Sequence, residues 1–82
     1  MEKTIYSYEY DSVVQLLRAA RKTARITQVE LAKRLGVTQS LFSKMERGDR
    51  RLDIVEVRTI CRAIGISLPE FVTQLERKLA RR

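Results

Sequence analysis

A chain of 82 residues with 17 lysines and arginines, 10 acids, no histidine and a formal net charge of +7 is expected to form one small domain that favours anionic partners. It lacks the commonest general base and metal ligand. A chain this short buries about 60–65% of its unfolded surface, which leaves little room for a catalytic cavity, so an enzyme, a metal site and a bound cofactor are all disfavoured.

The sequence has no glycine-rich phosphate loop and no serine followed by a plausible catalytic partner. No apolar run approaches the roughly 20 residues of a membrane span. The N-terminus is polar and aromatic, unlike a secretory signal, and the expected location is the cytoplasm. Cys61 is the only cysteine. It lies on the expected apolar face of VRTICRAIG and reads as a buried structural thiol. Helix formers are abundant and Pro69 is the only proline, which predicts an all-α fold of five helices.

Residues 1–11 carry Lys3 against Glu2, Glu9 and Asp11, a net −2. Tyr6, Tyr8 and Tyr10 alternate, which suits a short extended arm with one aromatic edge. Arms that enter the minor groove are basic, so this one is expected to pack on the domain or on a second subunit. Ser12 to about Thr23 reads as the first helix, with Ser12 and Gln15 at capping-box spacing. Val13, Leu16, Leu17, Ala20 and Ala24 form its apolar stripe. Arg18, Arg21, Lys22 and Arg25 lie off the stripe, with no acid between residues 12 and 26.

The stretch TQVELAKRLGVTQSLFSKMERG, Thr27 to Gly48, reads as two short helices, Gln28–Leu35 and Gln39–Arg47. Leu31, Leu35, Phe42 and Met45 are apolar at helical spacing. Ala32 allows close approach of a neighbouring helix. Gly36 suits the left-handed residue that ends the first helix, and Thr38 can cap the second. Thr27 and Glu30 have capping-box spacing, but Leu41 stands where an acid would complete the box after Thr38. From Val37 to Met45 there is no acid at all, as expected of a helix whose N-terminus faces phosphate.

The next residues, GDRRL, read as a loop in which Arg47, Arg50 and Arg51 crowd the end of the preceding helix. Asp53 caps a fourth helix, with Glu56 at box spacing and Ile54, Val57, Ile60, Cys61 and Ile64 as its inner face. Gly65 ends it. Ser67 caps a fifth helix, with Glu70 at box spacing and Pro69 near its start. Leu68, Phe71, Val72, Leu75 and Leu79 form a stripe. Its outer part has nothing further in the chain to cover it, which marks Phe71, Leu75 and Leu79 as a candidate dimer surface. The expected organisation is an arm over 1–11, a central helical unit over 12–66 and a C-terminal helix over 67–82.

Thr27 to Gly48, with LRAAR before it and RAIGISLPEF after it, resembles the XRE-type helix-turn-helix of phage repressors and Cro. The similarity runs from about Leu17 to about Leu68. It implies sequence-specific binding of double-stranded DNA, with Gln39 onward as the recognition helix. By that resemblance, Arg21 would pair with Glu46 and tie the first helix to the recognition helix. Gln28 would sit by a phosphate and could brace Gln39 against a base. Glutamine can grip adenine with one donated and one accepted hydrogen bond. Ser40, Ser43 and Lys44 share the Gln39 face and are candidates for base or phosphate contact. Thr38, Arg47, Arg50 and Arg51 are candidates for phosphate. Phe42 replaces the β-branched residue usual in the family, and the loop lacks the family's frequent proline.

The expectation is a transcriptional regulator, acting as a repressor by occupying an operator. It would bind as a homodimer on an inverted repeat, without a small-molecule effector. The alternative is an antitoxin that binds its operator and a toxin protein, a reading weakened by the lack of a long disordered tail. A protein-interaction module that has lost DNA binding would show acids on the recognition face, and they are absent.

Overall fold

The computed structural model describes the backbone of residues 3–81, with side chains from Tyr8 to Arg81. It contains α1 (Lys3–Thr23), α2 (Gln28–Leu35), α3 (Gln39–Arg47), α4 (Ile54–Ile64) and α5 (Leu68–Ala80). The all-α, five-helix expectation is met, and the boundaries from Gln28 onward fall close to where caps and glycines place them.

The caps behave as their spacing predicts for four helices. Thr27, Thr38, Asp53 and Ser67 each accept a hydrogen bond from the backbone N–H three residues on. In α4 the box closes in both directions, with Glu56 accepting from the Asp53 N–H at 2.9 Å. Glu30 instead accepts from Arg34 at 3.3 Å. Gly36 is left-handed at φ 73° and ends α2. The Val37 N–H then returns to the Ala32 carbonyl at 3.0 Å, the six-to-one bond that turns the chain into α3.

The N-terminal segment differs from expectation. Lys3 to Asp11 is helical and continuous with the rest of α1, so the extended arm is corrected to about two and a half turns of helix. No glycine or proline interrupts Lys3–Thr23. Tyr10, Val14, Leu17 and Arg21 recur at four-, three- and four-residue steps, which is one face of a helix. Ser12 is therefore not a cap. It is 2% exposed inside α1, and its hydroxyl donates to the Tyr8 carbonyl at 3.0 Å, the back-bond a helix-interior serine makes. Met1, Glu2 and the Tyr6 side chain lie outside the described residues.

The core comprises Leu17, Ile26, Leu31, Ala32, Phe42, Met45, Val57, Ile60, Cys61, Ile64 and Phe71. The α1 helix packs against α3, α4 and α5, while α2 packs on α3 and α4 and α4 also meets α5. Burial is complete at Cys61, and desolvation pushes its thiol up to about 11, so it remains an uncharged packing group.

Several apolar assignments change. Val14, off the expected stripe of α1, is 5% exposed, while Ala24 lies past the end of α1 and is exposed, as is Val72 on α5. Ile54, expected inside, is 63% exposed beside Val55 at 67%. Both sit in the first turn of α4, where the chain has not yet met the core. Phe71, expected on a dimer surface, is 2% exposed and fills the core. Leu75 and Leu79 are half-buried and line one groove with Glu9, Tyr10 and Val13 of α1. The helical extension of α1 supplies Glu9 and Tyr10 to the other wall of that groove.

Candidate nucleic-acid interface

A helix turns 100° per residue, so α3 has two faces. Phe42, Met45 and Glu46 point inward and are buried. Gln39, Ser40, Lys44 and Arg47 are exposed, and Ser43 is half-buried among them. The five expected contact residues of α3 therefore share one outward face. The Thr38 hydroxyl caps the helix start by accepting from the Leu41 N–H at 3.1 Å. The outward face holds a glutamine that both donates and accepts, two hydroxyls and two cations.

Glu46 fixes this face from behind. Its Oε2 accepts from Arg21 Nε at 2.7 Å, and its Oε1 accepts from Arg21 Nη2 at 3.0 Å and from Gln28 Nε2 at 2.7 Å. Arg21 Nη1 donates to the Ile26 carbonyl at 2.8 Å. One carboxylate thus joins α1, the start of α2 and the end of α3. The pair is almost enclosed, at 9% and 4% side-chain exposure. Burial alone would raise the Glu46 carboxyl. The hydrogen bonds from Arg21 and Gln28 outweigh burial, with the Arg21 charge and a smaller pull from Arg18, and hold it below its ordinary value of 4.5. It is a carboxylate that the surrounding donors keep ionised.

The Arg21–Glu46 pairing implied by the family resemblance is present. Gln28 adds a partner that was not foreseen, because its amide nitrogen is on Glu46. The signal was available: Gln28 opens α2 one residue after its cap, at the junction where α1 meets α3.

The expected phosphate-binding arginines already hold protein partners. Arg47 donates to Asp49 Oδ2 at 3.0 Å and to the Ser43 hydroxyl at 2.9 Å. Arg50 Nη2 lies 2.8 Å from Glu56 Oε2. The pairing lowers Glu56 from its ordinary value and raises Arg50 from its own. The Arg51 guanidinium lies over the Tyr10 ring, 4.4 Å from its centre. The Arg47–Asp49 pair is exposed and Arg50–Glu56 partly so, and ion pairs open to water exchange readily for others. Sequence reasoning located the arginines but overlooked the acids and the ring that hold them.

No helix among the described residues is long and apolar enough to cross a membrane.

This arrangement defines a helix-turn-helix protein. The helix-turn-helix domain family matches residues 13–73, beginning just after Tyr10. A solved structure described as an XRE-family like protein from Pseudomonas syringae pv. tomato str. DC3000 is 45% identical. It covers 93% of each chain with a TM-score of 0.85. A curated relative, an uncharacterized HTH-type transcriptional regulator (y4dL) of Sinorhizobium fredii, is 34% identical over 62 residues. That alignment takes in 76% of this chain but only 32% of the relative, so the chain spans about a third of its length. The chain belongs to the XRE-type helix-turn-helix family.

Proposed function

We propose that this chain is a sequence-specific duplex DNA-binding transcriptional regulator. It acts in the cytoplasm as a repressor by occupying an operator, and it carries out no chemistry. The observation that carries this reading is the outward face of α3. Gln39, Ser40, Ser43, Lys44 and Arg47 stand together on it, while the buried Glu46 junction holds the helix from behind. Gln39, Ser40 and Lys44 read base edges, with Ser43 facing base or phosphate. Thr38, Gln28 and Arg47 lie towards the backbone, and Arg50 and Arg51 contact phosphate from the next loop.

The regulator reads an inverted repeat as a homodimer. One recognition helix covers too few base pairs to select a site from a genome. Two-fold symmetry doubles the readout, with half-sites about one helical turn apart.

The test is selection from random duplex DNA, followed by affinity across a salt series and stoichiometry by sedimentation. The expected outcome is an inverted-repeat site holding two chains. Log affinity should fall with log salt at about −0.9 per phosphate neutralised. A flat salt response, or no binding at low salt, would overturn the DNA-binding reading. One chain per site would overturn the dimer.

A further inference from the structure

We propose that Tyr10 is a positioning residue for DNA binding: from α1 it sets the shape of the α3–α4 loop that presents Arg50 and Arg51 to phosphate. The inference rests on the DNA-binding reading above and adds a residue that neither composition nor motif assigns.

Three interactions converge on this one side chain, which also lies close to the loop's first residue. The Tyr10 hydroxyl accepts from the Leu52 N–H at 2.9 Å and donates to the Arg50 carbonyl at 3.3 Å. It therefore satisfies backbone groups on both sides of Arg51. The ring carries the Arg51 guanidinium on its face at 4.4 Å. Its Cε2 edge lies against the loop's first residue, 3.8 Å from where a Cβ would stand on Gly48. Tyr10 itself is half-buried on a helix continuous with the Arg21 junction.

The chemistry of each interaction suits placement rather than direct readout. A five-residue loop carrying two arginines would sample many shapes, and ordering them against DNA costs affinity. Two hydrogen bonds to one hydroxyl remove that freedom before binding. A guanidinium donates in its own plane, so holding it by its face is compatible with donation to phosphate along its edges. The Arg50 side chain starts from a backbone that Tyr10 holds, while its present partner Glu56 is exposed enough to exchange.

The experiment is a double-mutant cycle on the full chain with the selected duplex. Measurements are made well below the melting transition. Tyr10→Phe removes the hydroxyl and keeps the ring. It should weaken binding about five- to ten-fold on cognate and scrambled duplexes alike, and make the salt slope shallower by about 0.9 for each phosphate that is no longer neutralised. In an Arg50→Ala, Arg51→Ala background the same change should have little further effect, because Tyr10 acts through those side chains. Arg51→Ala alone keeps the hydroxyl and should retain the slow hydrogen exchange of the Leu52 amide, which Tyr10→Phe abolishes. Ile64→Val, a core change that lowers the melting temperature without touching the loop, should bind like the wild type.

Wild-type affinity and slope for Tyr10→Phe would overturn the proposal while leaving DNA binding intact. So would equal losses of affinity with and without the two arginines, or an equal loss in Ile64→Val, since each marks general destabilisation. Failure of the wild type itself to bind duplex DNA would overturn the DNA-binding reading and this inference together.

Discussion

The junction behind α3 and the loop at its end both join arginines to carboxylates, yet they differ in how far those pairs are enclosed. At the junction, Glu46 is enclosed and accepts three hydrogen bonds from Arg21 and Gln28. In the loop, Arg47–Asp49 is largely open to solvent and Arg50–Glu56 is partly so. An enclosed pair cannot exchange partners without stranding a buried charge, so it fixes geometry. An exposed pair contributes little to stability and gives way to a stronger anion. The same residue types therefore hold α3 in place on one side and, in the proposed reading, are the groups that turn to phosphate on the other.

The largest effect should come from breaking the junction. Glu46→Ala strands the Arg21 charge and leaves the Gln28 amide without its acceptor. Loss of one partner of a buried pair costs about 3–5 kcal/mol, so calorimetry should record a melting temperature lower by more than ~10 °C. The pH dependence sharpens this. The folded pKa of Glu46 lies below 4.5, so its stabilisation is complete above that value and is lost as pH falls through the depressed folded pKa. Melting scans of wild type and Glu46→Gln should converge on acidification. Curves that stay parallel down to about pH 2.5 would contradict an ionised, donor-bound Glu46.

A corresponding change in the loop should act on binding rather than folding. Glu56→Gln removes the acid that holds Arg50, while the amide can still reach back to the Asp53 N–H in the capping box. The melting temperature should shift little, and duplex affinity should rise about two- to five-fold at low salt. A large thermal destabilisation with no gain in binding would place Glu56 among the fixed groups instead.

The smallest effect lies beside the junction. The turn after α1 closes with the Ile26 N–H on the Arg21 carbonyl at 3.1 Å, and its left-handed residue is Arg25 at φ 61°. Glycine holds that place after α2, α3 and α4. Relief of the Cβ strain exceeds the extra unfolded-state freedom of glycine. Arg25→Gly should therefore stabilise the chain by about 0.5–1 kcal/mol in urea denaturation. Destabilisation would mean that the Arg25 side chain contributes to the turn.

What could be read from sequence follows from how local each signal is. Thr27, Thr38, Asp53 and Ser67 cap helices within three residues of themselves, and Gly36 ends α2 within its own turn, so pattern alone located them. Tyr10, Ile54 and Phe71 were misassigned because their environment is set by distant chain. Alternating tyrosines look extended until Val14 and Leu17 show the helical face continuing through Tyr10. Ile54 fits the α4 stripe by spacing, but it stands one turn before α4 reaches the core. Phe71 belongs to the core that all five helices share, and Leu75 and Leu79 face a groove whose far wall is the helical stretch around Glu9 and Tyr10. The expected arginines were legible as charge; their partners Asp49, Glu56 and Tyr10 were not, because nothing local pairs Arg51 with a ring 41 positions earlier.

The proposed division between a helix that reads bases and a loop that grips the backbone is tested most directly by comparing Gln39→Ala and Arg50→Ala on the selected duplex and on a scrambled one. Gln39→Ala should lose about 1–3 kcal/mol on the selected site and almost nothing on the scrambled duplex. Arg50→Ala should weaken both to the same degree and make the salt slope shallower by about 0.9. If Gln39→Ala weakens both duplexes equally, α3 does not read the sequence and the account fails.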